Sequence, residues 1–125
     1  MTDTQTSPPP AGQTASPQKE IAHGIVAIYK EYLGRGPRQA RCTITDDFMV
    51  TVLEDGLTKA EQTLVKEEEA DTVREIRRKF QVAMRSDITA LAERVTGRKA
   101  LSFLSDHEVD GDFAIEMVVF APQAD

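Results

Sequence analysis

Tryptophan is absent, histidine occurs twice and cysteine once, so the chain is poor in the side chains that most often ligate metals or attack substrates. The single cysteine, Cys42, excludes an internal disulfide and fits a reducing compartment. A basic excess is also missing. Fifteen Lys and Arg against 21 Asp and Glu leave a net charge of -6, which argues against nucleic acid, since binding there draws on phosphate neutralisation by a basic surface. No apolar run approaches the roughly 18 residues that a transmembrane helix requires. The opening residues, MTDTQTSPPPAGQTASPQ, have neither the basic start nor the apolar centre of a secretory signal. Together these absences lead us to expect a cytoplasmic protein without direct membrane insertion.

What is present is an ordinary globular balance, 40% hydrophobic and 29% charged, enough for one core. Residues 1–18, rich in Thr, Ser, Gln and Pro, read as a disordered tail because they cannot recover ordering entropy by burial. Residues 19–122 read as a single domain, and 123–125 as a short C-terminal tail. From Gln18 the apolar residues Ile21, Ile25, Ile28, Tyr29, Tyr32 and Leu33 keep helical spacing until Gly34-Arg35-Gly36-Pro37 stops the helix. Two strand-like runs, 40–45 and 48–53, flank Asp46-Asp47, a tight hairpin turn. A short helix opens near Thr58, with Glu61 three residues on as a capping box. The longest helix, 71–96, places Val73, Ile76, Phe80, Met84, Ile88, Leu91 and Val95 on one stripe and closes at Gly97. A second hairpin, 99–105 and 113–120, follows around an Asp-rich loop.

The two halves resemble each other: a helix, a Gly-Arg pair at Gly34-Arg35 or Gly97-Arg98, then a hairpin. The predicted fold is therefore α+β, two α-β-β units forming a four-stranded, mainly antiparallel sheet with helices packed on one face. Its inner face is expected to carry Ala40, Cys42, Ile44, Phe48, Val50 and Val52. Its outer face then carries Met49, Leu53, Leu101, Phe103, Val118 and Phe120 between the polar Thr43, Thr51 and Glu116. Such an apolar patch predicts association, either as a homodimer or with a docked partner.

Candidate chemistry is sparse. Asp106-His107-Glu108-Val109-Asp110-Gly111-Asp112 is the densest ligand-capable stretch, but its spacing matches neither an EF-hand nor a zinc site, and it reads first as a solvated hairpin turn. Arg74, Arg77, Arg78, Lys79 and Arg85 read as a solvated basic helix face. His23 and Cys42 are too far apart in sequence to be read as a nucleophile and its base, and Cys42 reads as a small buried hydrophobe. No catalytic residue, metal site or cofactor is assigned.

With these segments placed, the chain resembles the MpsC-like family over residues 18–121. The resemblance rests on Tyr32-Leu33-Gly34-Arg35-Gly36-Pro37 with Ala40, Leu53-Glu54-Asp55-Gly56-Leu57-Thr58 with Glu61, Val73-Arg74-Glu75-Ile76-Arg77, Thr96-Gly97-Arg98 and Phe103-Leu104-Ser105-Asp106. It implies an accessory protein of a sodium-translocating or bicarbonate-transporting membrane system, with membrane transport subunits as partners, and brings no active-site residues. The first expectation is thus a non-enzymatic, homodimeric accessory or regulatory module. Its partner would meet Arg35, Arg98 and Asp106, or the outer sheet face at Leu101, Phe103, Val118 and Phe120. The alternative is a small-molecule or metal-sensing domain using Asp106, His107, Asp110 and Asp112.

Overall fold

The computed structural model describes residues 16–123. Its elements are α1 (Pro17–Leu33), β1 (Gln39–Ile44), β2 (Phe48–Glu54), α2 (Lys59–Lys66), α3 (Ala70–Thr96), β3 (Ala100–Glu108) and β4 (Phe113–Phe120). Residues 1–15 of the expected tail, and all of the expected C-terminal tail except Gln123, lie outside the described residues. The tail boundary at 18 is corrected, because Pro17 already opens α1. Ser16 caps that helix by accepting from the Lys19 N–H, and Pro17 occupies the first turn, where its missing N–H costs nothing.

Local chemistry sets the other boundaries. Gly34 and Gly97 end α1 and α3 in the left-handed conformation, at φ 84° and 70°, and their N–H groups return to the carbonyls of Lys30 and Glu93. Thr58 and Glu61 form the expected reciprocal capping box at the start of α2. At Asp46-Asp47 the turn is held by Thr45, whose hydroxyl accepts from the N–H groups of Asp47 and Phe48.

The four strands run in the order β1-β2-β4-β3, antiparallel at every junction. Two hairpins therefore lie side by side with their second strands at the centre. This is the predicted α+β arrangement of two α-β-β units, with α2 as an addition at the start of the second. Helices α1 and α3 pack on each other, and reach β1 and β3 respectively. Gly24 makes the α1–α3 approach close, since a Cβ there would lie 2.6 Å from Leu91 Cδ2.

The face assignment is corrected. Met49, Leu53, Val118 and Phe120 are buried in the core with Ile21, Ile25, Met84 and Ile88, and half-buried Phe103 packs against the same cluster. Phe48, Val50 and Val52 lie on the opposite face. Ala40, Cys42 and Ile44 do point inward, as expected. The register explains the split: Ile44 pairs with Met49, Cys42 with Thr51 and Ala40 with Leu53, and paired residues share a face. Thr51 and Glu116, expected on the outer face with Met49, Leu53 and Val118, are likewise turned inward and fully buried.

Candidate functional site

The sheet has two faces of different character. Toward the helices it is closed. Away from them, the central strands present Phe48, Val50, Val52 and Glu54 from β2 against Val119, Met117, Ile115 and Phe113 from β4, so that seven of eight outward positions are apolar. Ile115, Phe113 and Leu104 are 45%, 43% and 57% exposed, and Leu101 at the β3 bulge is 65% exposed. The edges are polar. β1 contributes Gln39, Arg41 and Thr43, and β3 contributes Ser102, Asp106 and Glu108 around Leu104. Arg41 and Asp106 stand at opposite ends of one cross-sheet row, Arg41–Val52–Ile115–Asp106. Arg41 also bridges Glu54 at 3.0 Å.

An apolar outer face thus exists, but Phe103, Val118 and Phe120 do not belong to it. Leu101 is exposed. Arg35 and Arg98 have matching intramolecular roles. Arg35 follows the α1 cap and donates to the carbonyls of Leu57 and Asp55, just beyond β2. Arg98 follows the α3 cap, donates to the carbonyl of Ala121 just beyond β4 at 3.2 Å, and stacks over Phe120 at 5.2 Å. Each clasps the far strand of its own unit.

The Asp-rich stretch does not converge on one point. Residues 106–108 belong to β3, so Asp106 and Glu108 face outward while His107, paired with Ala114, faces inward. The solvated-turn reading is corrected for half of it. His107 and Val109 are buried, and Val109 packs with Leu57 and Val73 in a second small core. Asp112 ties the turn down: its Oδ2 accepts from the Leu57 N–H at 3.1 Å, and its Oδ1 lies 3.1 Å from His107 Nε2.

Beneath the helices lies a feature the sequence reading missed. Cys42, Thr51, Glu116 and Ser105 occupy one row across all four strands, facing inward. Tyr29 of α1 donates its hydroxyl hydrogen bond to Glu116 Oε2 from above. Arg77 of α3, expected on the solvated basic face, is 1% exposed; its Nε and Nη2 donate to the Glu61 carboxylate at 2.8 and 2.7 Å, and Nη2 also donates to the Gly56 carbonyl. The position was visible as the helical step four residues after Val73 and seven before Met84, on the buried side of the helix. Among the described residues, four buried side-chain atoms have no hydrogen-bond partner: Arg77 Nη1, Ser105 Oγ, His107 Nδ1 and Glu116 Oε1.

The electrostatics follow from that burial. Desolvation pushes the Glu116 carboxyl up to about 7, against the opposing influence of Ser105, Tyr29 and Arg77. Desolvation and the neighbouring carboxylate raise the Tyr29 phenol, so it stays neutral. Burial and the Arg77 charge hold His107 below its ordinary value, although Asp112 and Glu61 pull the other way. Burial would raise Glu61, but the hydrogen bonds from Arg77 and the Thr58 N–H outweigh it and keep the carboxylate charged. Burial raises the Cys42 thiol, which makes it a poor nucleophile at neutral pH.

The fold is thus an α+β sandwich of one helical layer on a sheet whose apolar outer face is open. The chain belongs to the MpsC family: the family model described as "Na+-translocating membrane potential-generating system (MpsC)" matches residues 13–122. No curated protein and no solved structure matches. Among the described residues, no helix is long and apolar enough to cross a membrane.

Proposed function

We propose that this chain is a non-enzymatic accessory or regulatory component of a Na+-translocating, membrane potential-generating system, acting by protein contact on its cytoplasmic side. The observation that carries the reading is the open sheet face, with seven apolar side chains on the outward positions of the two central strands. A patch of that kind, rimmed by polar edges, is the usual mark of a protein-binding surface. The family description supplies the membrane system. The single cysteine, which can form no internal disulfide, supports a reducing, cytoplasmic setting.

The test is mild crosslinking in the native cells followed by affinity purification of the tagged chain, comparing wild type with Ile115→Glu/Met117→Glu. Both substitutions lie on the open face, whereas charges at Phe103 or Phe120 would break the core. Recovery of membrane transport subunits with wild type, and their loss with the variant, is expected. Recovery of the same set with both proteins, or of no transport subunit with either, would overturn the proposal.

A further inference from the structure

We propose that the open face is closed by a second copy of this chain, stacked face to face about a two-fold axis parallel to the strands. The inference rests on the docking reading above and names what covers the face when no transport subunit is bound.

The cross-sheet rows carry the argument. The two central ones are Thr43–Val50–Met117–Leu104 and Arg41–Val52–Ile115–Asp106. A two-fold axis along the strands turns the second copy over and lays its β3 edge across this β1 edge. Each residue keeps its level along the strand. Arg41 then meets Asp106 of the second copy, and Asp106 meets the second copy's Arg41. Val52 stacks on Ile115 and Val50 on Met117, both pairings occurring twice by symmetry.

The other in-plane axis, perpendicular to the strands, fails on charge. It lays β3 on β3 and reverses the rows, setting Asp106 against Leu104 and Arg41 against Thr43. That would desolvate Asp106 without a cation, which is costly. Twisted sheets stack with strands within about 30° of parallel, so the two central rows stay in register even where the outer ones diverge. Glu54 falls opposite Phe113, and its bond to Arg41 within the chain keeps that carboxylate paired.

Size sets the expected strength. Three strand spacings of about 4.8 Å and six residue steps of about 3.4 Å give a flat footprint of roughly 300–400 Å² per copy once the strand margins are counted. Side-chain relief enlarges it, yet it stays below the roughly 800 Å² per partner of standard interfaces. The association is accordingly weak and concentration-dependent.

Sedimentation velocity over the micromolar range is expected to show reversible dimers for wild type, weakened at least about tenfold by Ile115→Glu, which buries a charge at the centre of the stack. The axis is tested separately in a Cys42→Ala background. Thr43→Cys/Leu104→Cys should yield covalent dimers on mild oxidation, and Thr43→Cys alone should not. Those two positions sit on opposite edges of the sheet and cannot join within one chain. Wild type that remains monomeric at high-micromolar concentration overturns self-pairing, and oxidised dimer from Thr43→Cys alone overturns the axis. The crosslinking comparison above is read independently: loss of transport subunits from a monomeric chain would leave the docking reading standing while this one falls.

Discussion

Replacing Glu116 by Gln should remove a pH-dependent slope from the stability of this protein. The wild-type carboxyl is fully buried and titrates near 7 rather than the ordinary 4.5. The folded state therefore holds this proton more tightly than the unfolded chain. The resulting stabilisation is fully present below about pH 4.5 and is lost as pH rises through about 7. Its size is the shift multiplied by 1.36 kcal/mol per unit, about 3 kcal/mol. Gln keeps the shape and an acceptor for the Tyr29 hydroxyl but cannot ionise. Other groups around the site act differently. His107 on β3 is held low, so its contribution falls away as pH drops and partly masks the wild-type slope. Glu61 on α2 is also low and acts only at more acid pH. Tyr29 on α1 is raised and stays neutral, and Thr51 and Ser105 do not titrate. Urea unfolding followed by circular dichroism at several pH values for both proteins isolates the Glu116 term by difference. The variant should gain on wild type by about 3 kcal/mol between pH 4.5 and pH 8. A difference that is flat across this range would refute the assignment of a buried carboxyl to Glu116.

Two further outcomes follow from the packing. Arg77→Met leaves the Glu61 carboxylate buried without its partner and should cost about 3–5 kcal/mol in urea unfolding, with Arg77→Met/Glu61→Leu recovering part of the loss. Equal loss in the single and double variants would show that the pair is not coupled. Gly24→Ala should destabilise the protein, by about 1–3 kcal/mol, despite the higher helix propensity of Ala, because the new methyl group meets the buried Leu91 side chain. A higher melting temperature for the variant would show that Leu91 can move aside.

The helices were legible because each carries its own punctuation: Gly34 and Gly97 at the stops, Thr58 with Glu61 at a start. The Ser16-Pro17 start was equally readable, and was passed over only because the proline-rich composition extends up to it. Strand faces were harder. In Phe48-Met49-Val50-Thr51-Val52-Leu53 and again in β4, both faces are apolar, so alternation has no contrast and one polar residue decides the reading. Thr51 and Glu116 point to the wrong side when read as outward polar positions, because each is held inside, Glu116 by Tyr29 and by a proton. The turn held the correct answer. A two-residue turn at Asp46-Asp47 places Thr45 opposite Phe48 and Ile44 opposite Met49, which fixes Met49 on the same side as Ile44. The buried polar row was legible only in fragments. No local pattern reveals that Cys42, Thr51, Ser105 and Glu116 share a level, since that depends on pairing between β2 and β4. Arg77 alone was exposed by its place on the apolar stripe.

The junction of the two hairpins also governs the order in which the chain can be completed. Strand β2 finds its second neighbour in β4, with Thr51 and Glu116 about 65 positions apart. During synthesis, α1, β1 and β2 emerge first and form a unit that is already clasped by Arg35 but has an unsatisfied central strand. Its Met49 and Leu53 must wait for α3, and its backbone groups for the last strand in chain order. The nascent first half is therefore the stage at which this protein is most open to wrong pairing, and the one a ribosome-associated chaperone would have most reason to shield.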